Sequence, residues 1–304
     1  MKSINLYFTL FILSIFNSSL FAQIDSKKSE LKIEKLDEHI YLAVQNTNIS
    51  NPTSIIYIKP DFSLLIDPGF TQMQSIIRDS IEALNGGPIK YVMGTHFHTD
   101  HAQALEEYYD TSNILLSSYQ YPGAKDLKLS RVFSSSGSSY NLNLGEEELE
   151  IHTLPEPRGH TSSDAVFYFK SSNIIVVGDY LFYDMYPIID VNGGGSIDGY
   201  FKNLNYILGM IDNDSKVIPG HTSFKPEVEK NYYSKEELTN HVSELLESIE
   251  WVKVKKKNGA TLSLIIEEGL PSKYGKYNEG MKFVSEEKWI TFIYKNSLSK
   301  TTTN

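Results

Sequence analysis

The ten-residue stretch GTHFHTDHAQ, Gly94 to Gln103, holds three of the chain's eight histidines and one aspartate. His96, His98, Asp100 and His101 crowd together directly after the apolar end of IKYVMGTH. In an extended loop leaving a strand, alternate side chains point the same way. His96 and His98 could therefore share one metal ion, and Asp100 and His101, one residue out of step, could face a second. Imidazole and carboxylate without thiolate suit zinc, and also manganese or iron. Four ligands are too few for two ions. His160 in PRGHTSSD, Asp179 in VVGDYLF and His221 in VIPGHT each follow a glycine, which lets backbone come close to a site. A carboxylate after the apolar run Ile174 to Val177 needs a partner, and a metal ion supplies one.

THFHTDH, GHT, VVGD and IPGH, in that order and with LLIDPG upstream, resemble the metallo-β-lactamase-fold hydrolase superfamily over about residues 30–225. The resemblance implies an α/β protein, an αβ/βα four-layer sandwich with a two-metal site along one edge. It gives one metal to His96, His98 and His160, the other to Asp100, His101 and His221, and makes Asp179 the bridge. Asp67 matches a buried aspartate that supports the metal-binding loop without coordinating. Two zinc ions are the expected cofactors, with iron or manganese as alternatives.

Two such ions lower the pKa of a shared water toward neutrality and polarise a carbonyl oxygen. The expected mechanism is attack by metal-bound hydroxide on an acyl carbon, with Asp100 orienting it or moving its proton. The expected substrate is a small molecule with a β-lactam or lactone-like amide or ester bond. With no cysteine in the chain, the thiolate-using lactamases are excluded. Asp179 in its Gly-Asp turn resembles the bridging carboxylate of lactone and thioester hydrolases, so a metal-dependent thioesterase is an alternative. An iron-dependent sulfur dioxygenase is another, and a metal-stabilised binding module is the non-enzyme reading. Structural zinc sites usually close with four ligands, and seven for two open ions favour catalysis.

Residues 1–22 have the order of a secretory signal: Lys2, an apolar run from Ile4 to Phe16, then small and polar residues ending at Ala22. That run is short of the roughly 20 residues a membrane span needs. Cleavage after Ala22 predicts a periplasmic or secreted protein with no stable anchor. Its metallo-β-lactamase-like catalytic domain would cover 23–230, with a helical C-terminal extension packed on it over 231–304. The formal net charge is −10, which argues against nucleic acid or anionic membrane as partner. The one basic cluster, VKVKKKNG, reads as a solvated helix end. The tail SKYGKYNEGMKFVSEEKWITFIYKNSL resembles the C-terminal helices of an exported two-metal subgroup.

Alternation predicts strands over 30–46 with a turn near Asp37, then a hairpin around KPD that ends in Asp67-Pro68-Gly69. QSIIRDSIEALNGG predicts a helix with Ile76, Ile77, Ile81 and Leu84 on one side. AQALEEYY predicts another, and 130–139 a serine-rich loop. A second strand series follows, then a helix over IDGYFKNLNYILGMI and the strand KVIPGH. In the tail, Ser234 and Glu237 fit a capping box. His39 and His241 read as structural or surface residues, and His152 as a packed or solvent-facing strand residue or a support to the metal ligands. Tyr180, Phe182, Tyr183 and Tyr186 are candidates for a pocket wall or for packing under a loop. The stretch 191–198 is a candidate mobile edge or a turn in which Ser196 and Asp198 cap the next helix.

Overall fold

Strands whose residues are apolar on both faces must be covered on both faces, and the chain meets that demand with four layers. The computed structural model describes residues 29–48, 50–117, 131–133, 137–182, 185–222, 231–278 and 283–296. The expected leader and Tyr183 lie outside them. The first sheet comprises β1 (Glu30–Lys35), β2 (Ile40–Asn46), β3 (Thr53–Ile58), β4 (Ser63–Ile66), β5 (Ile89–Met93), β6 (Asn113–Ser117) and β7 (Arg131–Phe133), in sequence order. β1 to β4 pair antiparallel and β4 to β7 parallel. The second comprises β8 (Ser139–Asn143), β9 (Glu148–Thr153), β10 (Ala165–Phe169), β11 (Ile174–Phe182) and β12 (Lys216–His221). Only β11 and β12 run parallel in it.

The two sheets pack face to face. Ile55 and Tyr57 of β3 share an inner cluster with Phe167 and Phe169 of β10. Their neighbours Ile56 and Ile58 point the other way, against Ile77 and Ile81 of helix α1 (Gln74–Ala83), as the two-residue period of a strand requires. On the outer face of the second sheet, Val166, Tyr168 and Val217 meet helix α3 (Ile197–Met210) and helices α4 (Lys235–Lys257), α5 (Leu262–Glu268) and α6 (Glu286–Asn296). This is the αβ/βα sandwich with a helical C-terminal part. No helix among the described residues is long and apolar enough to cross a membrane.

Ile76 is exposed, because the buried stripe of α1 runs through Gln74, Ile77 and Ile81. AQALEEYY is 3-10 helix over Gln103–Tyr108, entered from one short helical turn, α2 (Thr99–Ala102). The serine-rich stretch holds a strand, Arg131–Phe133, which pairs with β6. The capping box at Ser234 and Glu237 is present.

Candidate metal centre

The ends of β4, β5, β11 and β12 and the β9–β10 loop meet at one edge of the sandwich. β5 runs out into the loop with His96 and His98, and α2 then turns Asp100 and His101 inward. His160 stands in the loop between β9 and β10, and His221 ends β12. Asp179 lies within β11, not at its end. Gly178 before it has φ +54, and the pairing with β12 slips there, so the strand bulges and Asp179 faces the edge. Gly220 makes room for it: a Cβ there would stand 2.1 Å from Asp179 Oδ1.

One ligand atom from each of His96, His98, His160 and Asp179 lies within 4.8 Å of the others, and the same holds for Asp100, His101 and His221. Asp179 spans both groups. Its Oδ2 is 3.3 Å from His160 Nε2 and 3.6 Å from His96 Nε2; its Oδ1 is 3.2 Å from His101 Nε2 and 3.5 Å from His221 Nε2. Asp100 Oδ2 is 3.3 Å from His221 Nε2 and accepts from Ser50 Oγ at 3.4 Å.

Where the protons sit shows that these atoms fit a cation. His160 Nδ1 donates to the Ile188 carbonyl (2.7 Å), which can only accept, so Nε2 carries a lone pair. His98 Nε2 donates to Asp190 Oδ2 (3.1 Å) and His101 Nδ1 to Asp67 Oδ2 (2.9 Å). The Thr95 hydroxyl gives its proton to Asp67 Oδ2 (2.7 Å), so it accepts from His96 Nδ1 at 3.0 Å. Four imidazoles are thereby fixed in the tautomer that turns a lone pair inward. His98 Nδ1 and His160 Nε2 stand 3.0 Å apart, lone pair to lone pair, and Asp179 Oδ1 is buried without a hydrogen-bond partner. Acceptors facing acceptors in a buried space need a positive charge between them.

Burial drives His96 well below the ordinary histidine range, and His160 below it, both against the opposing charge of Asp179, so both hold the neutral, ligating form. Burial pushes Asp179 up, but the imidazoles around it, His101 first, overcome this and hold its carboxyl well below the usual range. At His101 burial pulls down, and Asp179, Asp100 and Asp67 together outweigh it. A cation is favoured there, and a metal ion would supply it in place of a proton.

The outer ring of residues explains the motifs. Asp67, at φ +54 after β4, accepts from Thr95 N (2.6 Å), Thr95 Oγ1 and His101 Nδ1, which fits a supporting role. Asp164 and Asp190 escaped the sequence reading. Asp164, the last residue of GHTSSD, accepts from His160 N, Thr161 N, Thr161 Oγ1 and Tyr180 Oη, and so shapes the loop that carries His160. Its short offset from His160 was the available signal. Asp190 is joined to His98 across 92 positions, and no local pattern announces that.

The stretch after it is no loose edge. Asp190 N donates to His160 O (2.9 Å), Ser162 N to Gly193 O (2.8 Å) and Ser196 N to Gly159 O (2.9 Å). Ser196 caps α3 by accepting from Gly199 N, and Asp198 lies inside the first turn instead of capping. Tyr180 is buried and turned to Asp164 and Asn203. Phe182 stacks on His221 at 5.7 Å and lines the site. Tyr186 is packed beneath the loop against Tyr277 and Trp289. The remaining histidines stand elsewhere. His39 meets Lys59, His152 meets Glu150, and His241 is buried against Tyr277.

The sequence model of the Metallo-beta-lactamase superfamily matches residues 49–221, more than half of the chain. No curated protein matches the chain. Among solved structures, VMB-1 is similar at 18% identity and a TM-score of 0.55, over 70% of this chain and 95% of that one. A metallo-beta-lactamase from Pontibacter korlensis is similar at 15% identity and 0.56, over 70% and 98%. DIM-1 metallo-beta-lactamase is similar at 19% identity and 0.56, over 70% and 96%. At such identities the likeness is one of fold.

Proposed function

The chain belongs to the metallo-beta-lactamase superfamily, and from that premise we propose that it is an exported zinc-dependent hydrolase opening the amide or ester bond of a β-lactam or lactone-like small molecule. The observation that carries this reading is the convergence of seven ligand residues, with Asp179 offering one oxygen to each group. His96, His98 and His160 would hold one zinc ion, Asp100, His101 and His221 the other, and Asp179 would touch both. Bound there, two divalent ions supply Lewis acidity, making water acidic and polarising the substrate oxygen.

The chain's own residues do the rest. Asp67, Asp190, Thr95 and the Ile188 carbonyl hold the imidazoles in the ligating tautomer, so little reorganisation is needed when substrate arrives. Phe182 covers one face of the His221 ring. Asp100 is a fifth exposed. Its Oδ2, beside His221 Nε2 and accepting from Ser50 Oγ, would hold the ion, and its other oxygen would orient the attacking water or take its proton. Export is part of the proposal, with cleavage after Ala22; the mass of the mature protein recovered outside the cytoplasm tests it.

The test of function is turnover of a chromogenic cephalosporin by the zinc-loaded mature protein, with a chelator control and Asp100→Asn. A lactone panel is run beside it. Hydrolysis of either class lost in both controls is the expected result, with Asp100→Asn slowing turnover on the order of 10²-fold. Unchanged turnover in Asp100→Asn would remove its proton-handling role. No turnover of either substrate class by protein with zinc confirmed bound would overturn the substrate assignment.

A further inference from the structure

The C-terminal helices lie beyond the family match, which ends at residue 221, yet they reach the loop that holds the cluster. Tyr186 makes the contact. Its ring is fully buried, stacked on Trp289 of α6 with centroids 5.7 Å apart and planes 17° apart. Its other neighbour is Tyr277, in the 3-10 helix over Ser272–Asn278, at 5.2 Å. Two residues along the chain, the Ile188 carbonyl accepts the hydrogen bond of His160 Nδ1. Two further on, the Asp190 carboxylate accepts that of His98 Nε2. Asp190 N donates back to His160 O, and Gly193 N to Asp190 Oδ1 at 2.8 Å, so this short link is tied at its far end. The segment from Tyr186 to Asp190 thus has an aromatic anchor in the C-terminal helices at one end. At the other it carries the outer partners of two of the three imidazoles in the first group.

We propose that the C-terminal helices position the His96, His98 and His160 metal site through Tyr186, a positioning residue remote from the reacting atoms. The proposal rests on reading that cluster as a metal site. The ring is the operative part, since the hydroxyl is buried without a hydrogen-bond partner. An anchor removed from packed aromatics lets the link relax, and with it the carbonyl and carboxylate that orient the two imidazoles. Loss of an outer partner of a ligating histidine typically weakens metal binding about 10- to 100-fold.

The experiment is a zinc titration of the full mature chain against a chromophoric competing chelator, resolving successive binding steps, with thermal unfolding recorded alongside. Tyr186→Ala is expected to weaken one step by about tenfold or more and leave the other within threefold. Tyr186→Phe keeps the ring and stays within threefold of wild type in both steps. Ile265→Ala, in the same apolar layer but on α5, is expected to lower the melting temperature and leave both affinities in place. Should Tyr186→Ala fail to fold, Trp289→Phe shrinks the stack more gently and is expected to weaken the same single step. Affinities unchanged in Tyr186→Ala or Trp289→Phe, or lowered no more than in Ile265→Ala, would overturn the proposal. Wild-type protein that takes up no zinc would overturn the metal reading itself, and this inference with it.

Discussion

Single atoms decide whether the cluster forms at all. A Cβ on residue 220 would stand 2.1 Å from Asp179 Oδ1 and 2.7 Å from the Gly178 carbonyl carbon. The first neighbour is the carboxylate that spans both groups and the second is backbone, so the clash is relieved by turning the carboxylate away and easing β11 from β12 at that point. Gly220→Ala is therefore expected to fold with the sandwich intact and to lose at least one metal equivalent on dialysis. Elemental analysis of the dialysed protein checks this, and a full metal complement would contradict it. The glycine before each distant ligand was legible in the sequence as a close approach. What the backbone approaches was not, because Asp179 and Gly220 lie 41 positions apart and meet only through the pairing of β11 with β12.

At the scale of elements, α4 carries the clearest pH signature outside the cluster. His241 is buried, and burial together with the charge of Lys276 lowers it to about 4 from the ordinary 6.5, against the opposing pull of Glu244. Tyr277 Oη lies 3.3 Å from its Nδ1 and donates to Glu244, which pairs with Lys276 at 2.6 Å. The unfolded chain binds a proton at this histidine between pH 6.5 and about 4, whereas the folded chain does not. Stability therefore rises with pH in that window and falls as the solution is acidified through it. The loss amounts to roughly 3 kcal/mol by pH 4. His241→Gln should flatten the slope in urea unfolding measured from pH 7 to 4, and an unchanged slope would count against the assignment. The capping box that starts α4 could be read directly from Ser234 and Glu237, because capping is a local exchange of hydrogen bonds. The strand at Arg131–Phe133 could not, since its pairing with β6 is the only thing that makes it a strand.

For the whole molecule, the metal site and the fold share one free energy. Ligands drawn from both sheets close the edge of the sandwich, and Thr53 Oγ1 to the Pro219 carbonyl (2.6 Å) and Asn51 Nδ2 to the Thr222 carbonyl (2.9 Å) tie the sheets together beside it. An ion bound only by the folded chain stabilises it by about 4 kcal/mol when present at a thousand times its dissociation constant. Chelation is thus expected to lower the melting temperature by roughly 10 °C, and added zinc to restore it. Calorimetry of the chelated and reloaded protein checks this, and coincident transitions would mean that the cluster holds no ion of consequence.

The sequence by itself determined the chemistry on offer: imidazoles and carboxylates without thiolate, seven of them in a fixed order, each set at a turn or beside a glycine. It determined the layers as well, because two-residue and helical periodicities are local. The resemblance of those motifs carried the expectation that the seven meet with Asp179 between two groups; only the tertiary structure decided how, through the bulge at Gly178 and with Asp190 and Ile188 holding His98 and His160. It alone decided that helices past the family match reach the same loop through Tyr186. Periodicity records which way a side chain points along its own element. It does not record which distant atom accepts the hydrogen bond from the far side of an imidazole, because that pairing is set by strand register and packing between residues far apart in the chain.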